Sequence, residues 1–433
     1  MNETTREMQI RVPVLTRVEG EGALEIDVAE GAIQHLALRI YEPPRLFEKF
    51  VEGYECDQVI DMVARICGIC PVAYQMSAVQ AFEGLLGFEP PDWLHDMRRA
   101  MYCGEWLQSH SLHIHLLAAP DFLGFDSAIA MAADYPDAVR RGLELQTLGN
   151  DLIALFGGRS VHPVGVRVGG FYRAPREDEV EPLLRRLEAA LPAAEALVGW
   201  TAGLEFPDDD QAFISVALSH PDEYAIGRGN LISGQGLDID ISHYDNHFQE
   251  YQSPHSTALH STLEGRPYLV GPLPRVNLNL HQLPQPVRQT MDACGIHFPS
   301  HNMFHSIVAR AIELHFAVYE AIRLLKAYRQ PEESYIPLQP REGTGFGCTE
   351  APRGILWHRY DLDDQGMVRY ARIVPPTSQN QGRIEEDIRL SLERFGLDNP
   401  DDAVRLRAEQ VIRNYDPCIS CATHFLKLDL RRR

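Results

Sequence analysis

Two Cys-x-x-Cys pairs near opposite ends of the chain constrain its fold more than any other sequence feature. Cys67 and Cys70 stand near the start of the 433 residues, and Cys418 and Cys421 stand near the end. A two-residue spacer lets both sulfurs of a pair face one ion, and four thiolates are soft ligands that suit zinc, an iron–sulfur cluster or nickel. We therefore predict that the pairs form one four-thiolate metal site, which ties the two ends of the chain together.

Two alternative interpretations of the cysteines fit the sequence less well. A structural zinc ribbon usually keeps its pairs about 15–20 residues apart, whereas most of this chain separates Cys70 from Cys418. A thioredoxin-type dithiol needs only one pair and a βαβ context, which the surrounding sequence does not show. The other cysteines have no partner at a ligand spacing and are predicted to be small core residues: Cys56, Cys103, Cys294 and Cys348.

Charge and composition argue against two classes of function. The net charge of −21 disfavours a nucleic-acid binder, which needs clustered Lys and Arg. An apolar run of about 18 residues or more is absent, so we expect no membrane insertion. Residues 1–7 lack the apolar segment of a secretory signal. Since cysteines in such a chain are more typical of metal binding than of disulfides, we expect a cytoplasmic protein.

The periodicity of apolar residues predicts an α+β fold that is mainly α. Alternation and turn glycines predict strands in the first 40 residues. Helices are predicted to follow over 71–87, 92–118, 136–155, 178–203, 300–328, 383–395 and 401–413. Glycine- and proline-rich segments are predicted to be loops over 157–175, 205–275 and 338–355. We expect a core of long bundled helices with a small N-terminal β region, without a linker between independent halves.

Five short motifs, taken together and in order, resemble those of the large subunit of [NiFe]-hydrogenases. They are TRVEG at 16–20, RICGIC at 65–70, GGRSVHP at 157–163, EAPRGILWH at 350–358 with PTSQN at 376–380, and DPCISCATH at 416–424. Each motif alone is a weak signal, but their order across nearly the whole chain is specific. The resemblance implies a hydrogenase large-subunit-like fold and the reversible heterolytic oxidation of H2.

The resemblance also implies how the four sulfurs are used. Cys67 and Cys418 would be terminal nickel ligands, and Cys70 and Cys421 would bridge nickel to iron. The iron of this family carries one carbon monoxide and two cyanide ligands and has no further protein ligand. Thiolate donation makes nickel electron-rich and able to change its oxidation state, which zinc cannot do.

Cleavage of H2 further requires a base and a proton carrier. The base is left open between the Cys418 thiolate and the Arg353 guanidine, and the second is chemically harder because arginine is effectively always protonated. Glu19 is the candidate for the first proton carrier, since a carboxylate within hydrogen-bond reach of a terminal thiolate can relay a proton. Without the resemblance, Glu19 would equally fit an exposed acid in a Glu-Gly-Glu turn.

Four residues are expected to line the iron by the same resemblance. Arg353 offers a rigid fork of donors that suits hydrogen bonding to one cyanide, and Thr377 would hold the other cyanide. Pro352 and Leu356 would form the wall on the carbon monoxide side. These roles rest on the resemblance, because a Pro-Arg pair in a loop has no specific meaning by itself.

The last part of the chain carries two more implications of the family. Glu48 and His424 match positions that bind a magnesium-like ion. Family members are cut after this histidine by a dedicated maturation endopeptidase once nickel is in place. We therefore expect a single domain over 1–424 and removal of 425–433 on maturation.

The sequence departs from most family members at two positions and implies partner subunits. Tyr74 stands where a histidine is usual, and Ser109 where an aspartate is common. The segment 70–74 resembles the cytoplasmic, NAD(P)-linked, sulfhydrogenase-like branch (group 3). Because the chain has no further cysteine cluster and no GxGxxG unit, an iron–sulfur small subunit is required and flavin/NAD(P) diaphorase subunits are expected.

Two other functions remain open from the sequence alone. A H2 sensor or a non-catalytic relative would share the fold, and slow turnover would distinguish a sensor from an enzyme. Non-catalytic relatives generally lack the cysteines that are present here. The third possibility is a structural zinc protein, which would contain zinc without nickel.

Overall fold

The computed structural model describes residues 7–423, which form α-helices and small antiparallel sheets. The α-helices in this range are α1 (Phe47–Phe50), α2 (Cys56–Val63), α3 (Pro71–Leu86), α4 (Asp92–Leu112), α5 (Ala119–Leu123), α6 (Ala128–Met131), α7 (Pro136–Gly157), α8 (Glu177–Ala202), α9 (Tyr244–His247), α10 (Pro272–Asn279), α11 (Gln285–Ala293), α12 (Ser306–Ala327), α13 (Pro376–Phe395), α14 (Asp401–Asn414) and α15 (Ile419–Ala422). A π-helical segment, His113–Ala118, joins α4 to α5.

The strands of the same range pair into five sheets with the orders β1-β2-β3, β4-β5, β6-β7-β8, β10-β9 and β11-β12-β13. They are β1 (Met8–Val12), β2 (Gly22–Ala29), β3 (Ala32–Ile40), β4 (Val166–Arg167), β5 (Gly170–Phe171), β6 (Val216–Ser219), β7 (Asn230–Ser233), β8 (Asp238–Ile239), β9 (Phe248–Gln252), β10 (Leu259–Leu263), β11 (Gly343–Ala351), β12 (Gly354–Leu362) and β13 (Val368–Val374). Every pairing is antiparallel.

Four long helices form the centre of the fold. α4 packs against α7 and α12, and α8 also packs against α7 and α12, so that each helix contacts two others. α12 has 22 residues and is buried on nearly its whole circumference, as expected for a central helix of about 33 Å. None of the helices within residues 7–423 combines the length and apolar composition of a membrane span.

Glycines on one face of α7 allow it to lie unusually close to α4. A Cβ atom added at Gly149 would lie 2.5 Å from the backbone nitrogen of Gln108 and 2.6 Å from the carbonyl oxygen of Gly104. Two turns earlier on α7, a Cβ added at Gly142 would lie 2.6 Å from the side chain of His115. Glycine is therefore required here because the two helix backbones touch.

The sheet β11-β12-β13 supports the middle of α3. A Cβ at Gly347 would lie 1.9 Å from the carbonyl oxygen of Ser77, and one at Gly345 would lie 2.1 Å from that of Ala81. The Ser77 hydroxyl donates to the carbonyl of Leu356 at 3.0 Å, across the same contact. Helix α3 is thus fixed on the strands that lead into and out of the segment 351–354.

The structure confirms the mainly helical α+β fold and corrects several local predictions. The N-terminal β region is present as β1-β2-β3. The prediction of loops was wrong in each of the three segments, because 157–175, 205–275 and 338–355 all contain strands. The glycines that allow β11 to lie against α3 interrupt the alternation of apolar and polar residues by which a strand is predicted. Helix α13 also begins at Pro376, seven residues before the predicted start, since proline suits the first helical position.

We expect Gly149→Ala to destabilise the fold by about 1–3 kcal/mol or more, because the new methyl group must push two helix backbones apart. The matched control is Gly199→Ala, also inside a long helix, where an added Cβ meets nothing within 4 Å. That control should stabilise by about 0.5–1 kcal/mol through the better helix propensity of alanine. Urea unfolding of the two variants measures both effects, and equal stabilities would contradict the close helix contact.

Candidate metal centre

The four cysteines of the two pairs meet in one buried cluster, as predicted. The Sγ atoms of Cys67 and Cys418 are 3.4 Å apart, and those of Cys70 and Cys421 are 3.5 Å apart. All four sulfurs lie within 4.8 Å of one another, and each residue is at most 4% exposed. A single ion or a compact pair of metals can therefore contact every sulfur.

Local backbone geometry aims the sulfurs at the cluster. Cys70 is the N-cap residue of α3, and the following proline occupies the first helical position. The backbone N–H groups of Ile69 and Cys70 both point at the Sγ atom of Cys67, at 3.3 Å. Such N–H donors favour a thiolate over a thiol. At the other end of the chain, Cys418 and Cys421 lie at the N-cap and in the single turn of α15.

Glu19 attaches the N-terminal region to the last cysteine pair. Its carbonyl oxygen accepts a hydrogen bond from the backbone N–H of Ile419 at 3.0 Å. Its carboxylate oxygen Oε2 accepts from the N–H of Ser420 at 3.0 Å and from the Sγ atom of Cys418 at 3.2 Å. Glu19 is partly exposed, whereas Cys418 is buried. The carboxylate therefore connects a buried sulfur with the outer part of the molecule.

Arg17 fixes the segment that carries Glu19. It has a φ of +60°, in the left-handed region, which is unusual for a bulky residue. Its guanidinium donates to the carbonyl of Leu117 at 2.8 Å and to the carboxylate of Asp121 at 2.5 Å. Asp121 is also held by Arg413 of α14, through contacts of 2.6 and 3.0 Å. This ion-pair group orders the turn before Glu19.

Arg45 links the backbones of the two cysteine segments. Its guanidinium donates to the carbonyl of Ile66, just before the first pair, at 2.6 Å, and to the carbonyl of Ser420, inside the second pair. Its backbone N–H donates to the carbonyl of Thr423 at 2.7 Å. Arg45 could not be identified from the sequence, because its interactions join segments that are remote in sequence and no local motif marks them.

Arg353 lies beside the cluster and is held by Asp416. Its Nε atom donates to the carbonyl oxygen of Asp416 at 2.6 Å and its Nη2 atom to the carboxylate at 3.0 Å. Burial opposes the positive charge, but Asp416 and the cysteine sulfurs outweigh it and raise the pKa of Arg353 well above its ordinary value. The Nη1 atom is buried and has no hydrogen-bond partner among residues 7–423. That nitrogen is available to a small acceptor.

Asp416 is the first residue of the motif at 416–424, and the sequence alone predicts no role for it. It adopts a φ of +52°, a conformation in which aspartate is enriched, directly before Pro417 and Cys418. The turn therefore presents both its carbonyl and its carboxylate to Arg353. An acid directly before a Pro-Cys pair was the sequence signal for this role.

The other predicted lining residues flank the same region. The Thr377 Oγ1 atom, in the first turn of α13, accepts from the backbone N–H of Cys418 at 3.0 Å, so its own hydrogen remains available for donation. Leu356 is fully buried in β12. Pro352 stands in the turn between β11 and β12, and its carbonyl accepts from Arg275 at 3.0 Å.

A buried network of charged residues supports the turn between β11 and β12. Arg275 donates to the carbonyl of Ala351 at 2.7 Å as well as to that of Pro352, and its Nη1 atom lies 2.9 Å from the carboxylate of Glu350. Its guanidinium also stacks 4.5 Å from the ring centroid of Trp106. The guanidinium of Arg275, whose side chain is 1% exposed, therefore holds the residues that present Arg353 to the sulfurs.

Glu313 of α12 is the main counter-charge of Arg275. Two contacts of 2.7 Å join the guanidinium to both carboxylate oxygens. Burial opposes ionisation, but Arg275 outweighs it and lowers the pKa of Glu313 to about 2, whereas burial dominates at Glu350 and raises its pKa to about 7. His110 lies 3.0 Å from Glu313, and burial lowers its pKa to about 4. The imidazole is thus a neutral donor in this network.

Glu105 of α4 also supports the first cysteine segment, and no sequence motif identifies it. Its two carboxylate oxygens accept from the backbone N–H groups of Val72 and Ala73, at 2.6 and 3.1 Å. Glu105 therefore accepts hydrogen bonds from N–H groups in the first turn of α3 that have no partner within the helix. The side chain of the N-cap residue Cys70 makes no such hydrogen bond. The signal available in the sequence was an acid beside Trp106 in an otherwise apolar stretch, and the structure shows that this acid is fully buried.

The remaining sequence predictions have mixed outcomes. The carboxylate of Glu48 accepts from the backbone N–H of Ile373 at 2.7 Å, while His424 lies outside the described residues. Tyr74 is buried against His358, with ring centroids 5.8 Å apart. Within residues 7–423 neither the Tyr74 hydroxyl nor that of Ser109 has a hydrogen-bond partner. Both departures from the family pattern therefore leave a buried hydroxyl without a protein partner among the described residues.

Comparison with known proteins gives consistent matches over the whole fold. The family described as "Nickel-dependent hydrogenase" matches residues 45–142 and 238–424. Sulfhydrogenase 1 subunit alpha of Pyrococcus furiosus is 31% identical over 97% of this chain and 99% of its own length. The NAD-reducing hydrogenase HoxS subunit beta of Cupriavidus necator is 28% identical over 95% of this chain and 94% of its own. A crystal structure of an NAD+-reducing [NiFe]-hydrogenase in the H2-reduced state superposes with a TM-score of 0.87, at 26% identity, over 96% of this chain and 99% of that one.

We expect Glu313→Gln to destabilise the protein by about 3–5 kcal/mol, because it leaves the buried charge of Arg275 without its main partner. Urea unfolding of the purified protein measures this loss. The control is Glu188→Gln in α8, which removes an exposed contact of 2.6 Å to Lys326 of α12 and should change the stability by less than about 1 kcal/mol. Similar small effects for both variants would contradict the structural role of the network.

Proposed function

Because this chain belongs to the nickel-dependent hydrogenase family, we propose that its four convergent thiols hold a nickel–iron pair. The chain is the catalytic subunit of a hydrogenase, and the reaction is the reversible oxidation of H2 to protons and electrons. The family that the ordered motifs predicted is confirmed, including its sulfhydrogenase-like and NAD-reducing relatives. The observation that carries the proposal is the buried cluster of four sulfurs with a carboxylate on one of them.

The residues around the cluster fit a nickel–iron pair with small diatomic ligands. Four soft donors within 4.8 Å suit nickel and iron. By the family pattern, Cys67 and Cys418 would hold nickel alone, and Cys70 and Cys421 would be shared with iron. When bound, the metal pair would supply the redox centre at which H2 is split into protons and electrons.

Two hydrogen-bond donors beside the sulfurs are consistent with an iron that carries cyanide ligands. The buried Nη1 atom of Arg353 has no acceptor among the described residues, and the hydroxyl of Thr377 retains a hydrogen to donate. An unpartnered buried N–H group is costly, and a cyanide nitrogen would satisfy it. Pro352, in the turn between β11 and β12, and Leu356, in β12, form the apolar wall for carbon monoxide in this proposal.

The proton leaves through Cys418 and Glu19. The Sγ atom of Cys418 takes up the proton, since Arg353 is already engaged as a cation by Asp416. A distance of 3.2 Å lets the sulfur pass the proton directly to Oε2 of Glu19. The N–H of Ser420 holds the same oxygen in place at 3.0 Å. Because Glu19 is partly exposed, the next acceptor can be solvent or another group nearer the surface.

The finer parts of the assignment complete the proposal. Glu48 and His424 bind a magnesium-like ion, and an endopeptidase removes residues 425–433 from a single domain of residues 1–424. Electrons leave through an iron–sulfur small subunit, and flavin/NAD(P) diaphorase subunits pass them to a nicotinamide cofactor. The names of two NAD-reducing relatives support the nicotinamide cofactor. The complex works in the cytoplasm. A H2 sensor built on the same site would differ in turnover rather than in geometry.

The proposal predicts nickel, and cyanide and carbonyl infrared bands, in the purified complex. Cys421→Ser replaces a soft bridging ligand by a hard one and should abolish both the bands and the nickel content. Cys294→Ser, outside the cluster and half-buried, is the control and should retain them. Zinc in place of nickel, without such bands in the wild type, would contradict the proposal. Rapid H2-dependent dye reduction distinguishes an enzyme from a sensor.

Glu19→Gln should lower H2-dependent dye reduction by about 10²–10⁴-fold, because the amide retains the contact with Ser420 but cannot relay a proton. Nickel content and infrared bands should remain unchanged. Glu21→Gln, two residues away and exposed in the same turn, is the matched control and should retain the wild-type rate. Full activity of Glu19→Gln would exclude this carboxylate as the first proton carrier.

A further inference from the structure

A second group of metal-ligating side chains lies outside the four-cysteine site. It consists of His255, in the loop after β9, His260, in β10, and Glu385, in α13. One ligand atom from each residue lies within 4.8 Å of the others. Neither the sequence motifs nor the proposed hydrogenase chemistry uses these residues.

His260 is the residue that requires an explanation. Its side chain is 1% exposed, and neither of its ring nitrogens has a hydrogen-bond partner among residues 7–423. The Nε2 atom faces Oε2 of Glu385 at 3.8 Å, which is beyond hydrogen-bond distance. The ring packs against Tyr251, its cross-strand neighbour in β9, with centroids 5.3 Å apart. Buried imidazole nitrogens are normally satisfied, so a bound species between His260 and Glu385 would complete this arrangement.

The other two residues are already oriented as ligands would be. The Nε2 atom of His255 lies 2.7 Å from Oε1 of Glu385, while its Nδ1 atom lies 2.9 Å from the hydroxyl of Ser253. The backbone N–H of Leu38 donates to the same Oε1 atom at 2.9 Å. Outer partners of this type fix the tautomer of a ligating histidine and the orientation of a ligating carboxylate.

We propose that His255, His260 and Glu385 bind one divalent transition-metal ion, with Zn²⁺ as the matching probe. Two imidazoles and one carboxylate are a ligand set that zinc uses with a fourth, open position. An ion pair between His255 and Glu385 alone would leave His260 unsatisfied, whereas a shared ion uses all three residues. His255 is 27% and Glu385 20% exposed at the side chain, so an ion can enter and a water molecule can complete its coordination.

The position of the site gives it a structural consequence. The ion would join the β9–β10 hairpin to α13, while Leu38 ties Glu385 to β3. The same helix carries Thr377 in its first turn, where it holds the backbone of Cys418. Metal binding at Glu385 would therefore stabilise the helix that supports the four-cysteine cluster, without contributing a ligand to it.

The test is metal analysis of the purified hydrogenase complex after dialysis against Zn²⁺ and removal of loosely bound ions. We expect one tightly bound zinc per catalytic subunit in the wild type and none in His260→Ala. The loss of affinity should exceed the roughly 10–100-fold typical of removing an outer partner. His247→Ala, an exposed histidine at the start of the same hairpin that pairs with Glu264 at 3.4 Å, is the control and should retain the zinc.

Additional variants and nickel content make the result decisive. If His260→Ala fails to fold, the partly exposed His255→Ala and Glu385→Gln should lose the zinc instead. Zinc should also raise the thermal unfolding midpoint of the wild type but not that of these variants. Nickel is measured in the same samples, so loss of the four-cysteine centre is separately visible. A wild-type complex that binds no zinc, or variants that bind as much as the wild type, would overturn the proposal.

Discussion

The contact between Glu19 and residues 418–420 fixes the geometry on which the site depends. One residue from the N-terminal region supplies a backbone acceptor to Ile419 and a carboxylate to both Ser420 and Cys418. Because Arg45 joins the carbonyls before the first pair and inside the second, the two cysteine segments cannot move independently. The four sulfurs are therefore brought together by backbone hydrogen bonds as well as by any metal that they bind.

Behind the site, the protein uses buried charges where most folds use apolar packing. Arg275, Glu313 and Glu350 are each at most 1% exposed, and they hold the turn that presents Arg353. Buried charges contribute little net stability compared with apolar packing, but a network in which every member is paired rigidifies its surroundings. The network therefore keeps the buried, unpartnered Nη1 atom of Arg353 in one position beside the sulfurs. The long helices α4 and α12 supply the fixed frame for these charges.

The sequence was sufficient for the cluster and for most of the helices, because both leave local signals. The Cys-x-x-Cys spacing identified the four cysteines that meet. Apolar periodicity identified helices such as α3 and α7, and for α3 a proline and a glycine also marked the ends. Strand β11 was missed because its glycines serve a contact with α3 that no local pattern shows. Arg45, Glu105 and the Arg275 network were missed for the same reason, since their partners are remote in sequence and depend on the packing of helices. The proton-carrier role that we propose for Glu19 came from the resemblance, and the structure adds a distance compatible with it.

The separation of the two cysteine pairs has a consequence for biosynthesis. Cys67 and Cys418 are 351 residues apart, so a ribosome adding roughly 5–20 residues per second exposes the first pair about 20–70 s before the second exists. During that interval the first pair offers only two of the four sulfurs that form the site. The contacts of Glu19 and Arg45 with the last segment form only when translation is nearly complete. The four-cysteine site can thus be completed only late in translation, because the second cysteine pair lies near the end of the sequence.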